Sequence, residues 1–309
     1  MVQENSLSKI LVVCGPTGSG KSALSVELAK KYDGEIISAD SVAIYKGLDV
    51  GSAKPTKEEM EGIPHHLIDV VTPFEEFSVT DFENTALPII NDILNRGKLP
   101  IICGGTGFYV NSILYKMSYG KSKGNLEVRK KYQDLAEKEG NQAVFEVLKE
   151  KDPETAKILH PNDLVRVIRA IEIFESSGVK KSDIVDDKKP RFDFITIMTN
   201  LPRDYLYERI NKRVDLMIEN GIEDEVKSLI KMGVTDKNQC MQGIGYKEVY
   251  QTVTSGEPFP TELVKMNSRR YAKRQVTFFK RAENLVLYNF LEDSSFIKLC
   301  KIIDNFLNS

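Results

Sequence analysis

Several marks of disulfide-built, zinc-built or membrane-built proteins are missing from this chain. Only four cysteines occur in 309 residues, Cys14, Cys103, Cys240 and Cys300, and no CxxC pair is among them. Neither a zinc site nor a disulfide framework is therefore indicated. Cys14 and Cys103 sit in apolar strand-like runs, which fits core packing in a reducing compartment. Histidine is scarcer still, and the pair His65-His66 has no third ligand near it, so it does not indicate a metal. No apolar run approaches the length of a membrane span, and no basic-then-apolar leader opens the chain. These absences predict no membrane partner and a cytoplasmic location. The formal net charge is only −2, so total charge points to no polyanionic partner. No internal repeat and no low-complexity segment is visible.

What is present is a globular composition, 41% hydrophobic and 28% charged, and the string GPTGSGKS at Gly15–Ser22. The string matches the phosphate-cradling pattern G-x-x-x-x-G-K-[ST]. Ile10–Cys14 before it reads as a buried strand, and Ala23–Lys31 after it has helical spacing. In that context backbone N–H groups and the positive end of a helix dipole point at an anionic phosphate. The expected phosphate-binding residues are Gly15, Thr17, Gly18, Ser19, Gly20, Lys21 and Ser22. Lys21 reaches the outer phosphates, and the Ser22 hydroxyl is the candidate ligand of Mg²⁺.

From residue 9 to about 120, strand-like runs (Ile10–Cys14, Glu35–Ala39, Leu99–Cys103) alternate with helical stretches, including one near Thr80–Arg96. Such alternation argues for an α/β fold with a parallel sheet flanked by helices. Three special loops follow strand ends: Gly15–Ser22, Asp40-Ser41 and Gly104–Gly107. Ligands bind at the carboxyl ends of such strands, so the three loops are expected to converge. From Asn125 to Gly178 only helical apolar faces appear, which predicts an inserted all-helical subdomain. Its expected span is 123–184, between core segments 1–122 and 185–309. Lys180–Lys189 reads as a linker or loop, and Phe192–Met198 as a strand returning to the sheet. The remainder reads as helix over Tyr205–Met232, Tyr246–Thr254, Leu263–Lys280 and Phe296–Leu307.

Asp40 stands at the end of the second strand, near the phosphate loop. A carboxylate there can order Mg²⁺-bound water or accept a proton from an incoming nucleophile. It can also simply cap a turn or a helix. In Gly104-Gly105-Thr106-Gly107 the glycines admit a ligand close to the backbone and Thr106 offers a hydroxyl. Arg209 and Arg213 lie four apart on one helix and share a face. Together they can clamp a diphosphate opposite Lys21, or form surface ion pairs with Glu208 and Asp215.

Leu263–Ala282 carries Lys265, Arg269, Arg270, Lys273, Arg274, Lys280 and Arg281 and no acid, with Tyr271, Phe278 and Phe279 interleaved. A one-signed run with aromatics in a chain of nearly zero net charge reads as a helix tracking a phosphate backbone. Arg166 and Arg169 form a second basic cluster, after His160-Pro161-Asn162-Asp163.

These strings, together with SADSVAIYKGLDVGSAKP (Ser38–Pro55), PHHLID (Pro64–Asp69), GGTGFY (Gly104–Tyr109), HPNDLVRVIRAIEI (His160–Ile173), GIGYKE (Gly243–Glu248) and YAKRQVTFFK (Tyr271–Lys280), resemble in order the tRNA dimethylallyltransferases of bacterial type. The resemblance runs from about residue 9 to about residue 282. It implies a P-loop NTPase-like fold and transfer of a dimethylallyl group from dimethylallyl diphosphate to N6 of the adenosine 3′ of the anticodon. It makes Asp40 the base at N6, Thr106 a wall of the reaction channel and Arg213 a cation at the leaving group. It implies tRNA contacts from Asp40–Ala43 (Asp40, Ser41, Val42, Ala43), Val165–Arg169 (Val165, Arg166, Arg169), Gln242–Lys247 (Gln242, Gly243, Gly245, Tyr246, Lys247) and Lys273–Lys280 (Lys273, Arg274, Gln275, Phe278, Lys280). The helical insertion becomes a clamp on the anticodon stem, and the chain is expected to act as a monomer.

This sequence departs from the family pattern at three of these places. Relatives often carry Gln where Ala43 stands, usually Trp where Phe278 stands, and commonly Thr where Ser52 stands; the chain has no Trp. No Cys/His finger follows the basic helix. Two other enzyme classes share the phosphate loop: an adenylate isopentenyltransferase acting on free nucleotide, and a small-molecule P-loop kinase. The helical insertion and the basic helix argue against the first. A nucleotide switch module lacks support, because no NKxD motif is present.

Overall fold

The computed structural model describes residues 7–118, 124–185 and 187–309. The chain divides into two compact units, one of residues 1–114 and 190–309, the other of residues 115–189. The first unit begins with β1 (Lys9–Cys14), α1 (Lys21–Lys31), β2 (Gly34–Ser38), α2 (Lys57–Met60) and β3 (His65–His66). It continues with α3 (Val79–Asn95), β4 (Leu99–Gly104) and α4 (Gly107–Leu114). The second unit holds β5 (Tyr115–Lys116), α5 (Leu126–Glu139), α6 (Asn141–Lys151), α7 (Pro153–Ile158), α8 (Leu164–Ser177) and most of β6 (Asp187–Pro190). The first unit then resumes with β7 (Asp193–Thr199), α9 (Arg203–Glu219), α10 (Ile222–Lys231) and α11 (Tyr246–Ser255). It closes with α12 (Thr261–Phe279), β8 (Leu285–Tyr288) and α13 (Ser295–Asn308).

Six strands form one parallel sheet in the order β3-β2-β4-β1-β7-β8. Strands covered on both faces need continuous apolar runs rather than alternation. β1 satisfies this with Ile10, Leu11, Val12, Val13 and Cys14, all fully buried. Leu11, Val13, Ile36, Ile101 and Ile197 pack with Leu24 and Leu28 of α1 and with Leu299 and Ile303 of α13. α3 starts where a capping box starts it: Ser78 accepts from the Asp81 N–H, and Asp81 accepts from the Ser78 N–H.

In the second unit α5–α8 enclose their own core of Tyr132, Val144, Phe145, Leu148, Val167, Ile168 and Ile171. Its buried polar groups are paired. Glu172 takes Arg129, Arg169 and the Asn125 N–H, and Asp152 takes the Thr155 and Ser182 N–H groups.

Four expectations change. The span Tyr205–Met232 is two helices, because Gly221 turns the chain with φ 84° between α9 and α10. Lys180–Lys189 is not all linker, since it contains a short 3₁₀ turn at Lys181–Asp183 and the start of β6. The second unit is therefore helical apart from the β5–β6 pair, and it runs to Lys189 rather than 184. The expected boundary between 122 and 123 lies outside the described residues. β3 and β8 were not expected; two and four residues are too few for periodicity to register.

Candidate active site

Strand order decides where the site sits. β1 has β4 on one side and β7 on the other, so the chain leaves β1 in one direction and later returns on the opposite side. A crevice opens at such a switch point, beyond the carboxyl ends of the strands. The register aligns those ends: Cys14 pairs with Gly104 and with Met198, and Ser38 with Cys103. The loops after β1, β2 and β4 therefore meet in one crevice of about 430 Å³.

The phosphate loop wraps onto α1, whose N-cap is Gly20 with φ 84° and no side-chain cap. An uncapped first turn without acids leaves amide donors for an anion. Lys21 and Ser22 line the crevice. Ser19 faces the other way: it is fully buried, donates to Pro16 O at 2.7 Å and lies 2.5 Å from Thr199 Oγ1. Its side chain supports the loop, which leaves its backbone as the group it can offer a phosphate. Arg209 also serves the loop, donating through Nε to Gly18 O at 2.7 Å while stacking over Phe290. The expected pair of clamping arginines is thus divided, with only Arg213 lining the crevice.

Asp40 follows β2. Its Oδ1 accepts from Val42 N–H at 2.9 Å and Ala43 N–H at 3.2 Å, as a turn aspartate does. Its Oδ2 has no hydrogen-bond partner among the described residues. Thr106 fastens the next loop to this turn, accepting from the Ser41 N–H at 3.1 Å. Tyr271 of α12 faces the same carboxylate. Burial, then the Asp40 charge, pushes its hydroxyl up to about 12, against Thr106, Arg274 and Gln275. Tyr271 lies in a recognised motif, yet only its packing against the crevice marks it as a site residue.

Lys21, Arg213 and Asp40 form a charge cluster. Burial lowers the Lys21 ammonium and Arg213 pushes it the same way, while Cys103 and Asp40 oppose. Burial also lowers Arg213, and Asp40 again opposes. Both cations thus face inward, poorly neutralised, where an anion would satisfy them. Arg213 Nη2 is aimed by Ser52 O at 2.8 Å. That carbonyl belongs to a loop held by Glu225, which accepts from the N–H groups of Asp49 (2.7 Å), Val50 (2.8 Å) and Gly51 (3.2 Å). Glu225 went unnoticed in the sequence, because nothing in an amphipathic helix marks the one acid that faces a loop.

The expected RNA-facing residues separate. Val42, Ala43, Gln242, Gly243 and Arg274 line the crevice. Lys247, Lys273 and Lys280 are exposed and Phe278 is half-buried. Tyr246 is not on the surface: it is fully buried and donates its hydroxyl to Glu225 at 2.6 Å, beneath a buried Gly245. Gln275 is also buried, with both ends of its amide bonded to loop backbone. A side-chain contact with tRNA from either residue is therefore corrected to a supporting role. Lys265 pairs with Asp215 and Arg269 with Asn211, so these two tie α12 to α9. In the second unit Val165 is exposed, Arg166 pairs with Asp163, and Arg169 pairs with the buried Glu172. His66 pairs with Glu35 on β2, away from the crevice.

The Ser22 hydroxyl at the crevice suits a hard cation such as Mg²⁺, which takes most of its shell from phosphates and water.

Comparison with known proteins gives consistent matches. The family model described as IPP transferase matches residues 43–282, and that described as isopentenyl transferase matches residues 8–72. A tRNA dimethylallyltransferase of Caldanaerobacter subterraneus is 48% identical over 293 residues, covering 92% of each chain. That of Acetivibrio thermocellus is 45% identical over 306 residues, covering 97% of this chain and 98% of its own. The crystal structure of a tRNA isopentenylpyrophosphate transferase from Bacillus halodurans superposes with TM-score 0.72 at 38% identity, covering 98% of this chain and 97% of its own. A eukaryotic dimethylallyltransferase captured acting on tRNA superposes with TM-score 0.79 at 30% identity, covering 97% of this chain and 80% of its own.

Proposed function

The chain belongs to the IPP transferase family and transfers a dimethylallyl group to tRNA; we propose that the donor is dimethylallyl diphosphate and the acceptor N6 of the adenosine 3′ of the anticodon. The observation that carries this reading is Asp40, with one carboxylate oxygen tied into a turn and the other uncommitted in the crevice that holds Lys21 and Arg213.

The amine of adenine is a weak nucleophile, because its lone pair is delocalised into the ring. As N6 attacks C1 of the donor, the C1–O bond breaks and its electron pair leaves with the diphosphate. The N6 proton passes to Asp40 Oδ2. Base assistance of this kind contributes about 10²–10⁴-fold. The phosphate-loop amides, Lys21 and Arg213 oppose the charge growing on the leaving oxygen, each such donor being worth on the order of 10²–10³-fold. Mg²⁺, held by Ser22, supplies further neutralisation of the diphosphate when bound.

The acceptor base is stacked within the anticodon loop and must turn out to reach the carboxylate. Exposed Arg270, Lys273, Arg274 and Lys280 on and after α12 support phosphate contact beside the crevice. We place the reaction in the cytoplasm, carried by a monomer. Among the described residues no helix is long and apolar enough to cross a membrane.

The test is a transfer assay with Mg²⁺ and labelled dimethylallyl diphosphate. Acceptors are an anticodon stem-loop with adenosine 3′ of the anticodon, the same RNA with that base changed, and free AMP, with labelled ATP as a donor control. Label on the first RNA alone supports the reading. Label on AMP, or phosphate transfer from ATP, overturns it.

A further inference from the structure

We propose that Phe108 and Phe278 form a stacking platform for an unpaired base of the bound RNA, next to the adenine that reacts. The proposal rests on the reading that the chain acts on tRNA, and adds a contact outside the reacting centre.

Phe108 is 61% exposed in the first turn of α4, immediately after the Gly104–Gly107 loop. It lies against Phe278, ring centroids 6.0 Å apart and tilted by 56°. Phe278 is held rigidly from behind. It meets the buried Phe279 edge-on at 5.3 Å, and it packs so closely on Gly107 that a Cβ there would fall 2.2 Å from the ring. Two rings on a fixed support lose little freedom when a third plane settles on them.

Position and charge select the occupant. Phe278 lies one helical turn beyond Arg274 and Gln275 on α12, so the rings prolong the wall that lines the crevice. Exposed cations flank them: Lys273, Arg274, Lys280 and Arg281, none with an acidic partner among the described residues. Exposed aromatic faces among unpaired cations suit single-stranded nucleic acid, whose bases stack while its phosphates meet the cations. A protein partner of opposite character would need an acidic apolar face. A second copy of this surface would bring like charges together.

The experiment compares Phe108→Ala and Phe108→Tyr with the wild-type chain, using an anticodon stem-loop RNA with 2-aminopurine beside the target adenosine. Affinity is read over a range of salt concentrations, and KM is measured for both substrates. Phe108→Ala should weaken RNA binding about tenfold, within the range for loss of one base–aromatic stack. KM for the RNA should rise with it, while KM for dimethylallyl diphosphate stays unchanged. The slope of log affinity against log salt should also stay unchanged, because no phosphate contact is lost. Phe108→Tyr should restore binding, and 2-aminopurine quenching should be lost only in the alanine variant.

Wild-type affinity in Phe108→Ala overturns the proposal. So does an equal loss on the donor side, which would mark a structural role, or a wild-type dimer that Phe108→Ala dissociates. A wild-type chain that prenylates and binds no RNA overturns the tRNA reading itself, independently of any Phe108 result.

Discussion

Gln275 accepts the Thr17 amide hydrogen at 2.9 Å and donates its own amide to Gly105 O at 3.0 Å. One buried side chain of the basic helix thus joins the phosphate loop to the Gly104–Gly107 loop. The approach is so close that a Cβ on Gly105 would lie 2.1 Å from Gln275 Nε2. The basic helix α12 and the phosphate loop are mechanically continuous through this amide.

Replacing Gln275 with alanine leaves the buried Gly105 O unpaired, at a cost of about 1–3 kcal/mol, and frees the half-buried Thr17 N–H at the crevice. The phosphate loop should loosen, and KM for dimethylallyl diphosphate should rise about tenfold, with a smaller change in RNA affinity. Steady-state kinetics with each substrate varied in turn checks this. A pure loss of RNA affinity would return Gln275 to the role of a direct RNA contact.

Only one oxygen of Asp40 is tied into the turn, and that makes asparagine the informative substitution. Asp40→Asn keeps an oxygen for Val42 N–H and Ala43 N–H, yet provides no base. Single-turnover transfer at saturating substrates should fall by about 10²–10⁴-fold, with RNA affinity unchanged. Asp40→Ala should lose the same chemistry and also about 1 kcal/mol of stability from the turn. Near-full turnover by Asp40→Asn would assign the proton to another acceptor.

How much of this was legible beforehand follows from what each feature depends on. The strand Ile10–Cys14, the loop after it and the alternation that follows are local patterns, and they led to the parallel sheet and to the meeting of three loops at its edge. Asp40 was singled out because it follows a strand end beside a motif, and Arg213 because it shares a helix face with Arg209. Glu225, the supporting use of Arg209, and the burial of Tyr246 and Gln275 depend on which helix face turns inward after folding. Spacing does not encode that. Lys265 and Arg269 show the same limit: their one-signed run looks free along the chain, while Asp215 and Asn211 answer them from α9.

Glu35 makes part of the stability depend on acid. It is buried on β2, and Arg96 above all, with His66 adding to it, lowers its carboxyl to about 2 against the penalty of burial. Its folded value is therefore below its unfolded one, near 4.3. The sign follows: the stabilisation is fully present above about pH 5 and is lost as pH falls toward 2. The shift corresponds to about 3 kcal/mol, reduced to roughly 1–2 because the guanidinium is partly solvated. Urea unfolding from pH 6 to pH 3 should show a decline that Glu35→Gln flattens, the variant being the less stable at pH 6. Parallel curves would assign the acid sensitivity elsewhere.

The cations of the basic helix should separate in salt. Arg274 is exposed at the crevice and stacks on Tyr271 at 5.5 Å, without an acidic partner among the described residues. Lys265 is only 15% exposed along its side chain and sits 2.7 Å from Asp215. A lysine already neutralised by the protein displaces no counterion from RNA, whereas an unpaired arginine on a phosphate does. Arg274→Ala should therefore lower the slope of log affinity against log salt by about one unit and weaken binding at low salt most. Lys265→Ala should leave the slope alone while lowering the unfolding midpoint, because it breaks a tie between α12 and α9. Binding isotherms on one stem-loop RNA at four or more salt concentrations decide the matter. Equal slope changes in both variants would mean that Lys265 leaves Asp215 for the RNA when the complex forms.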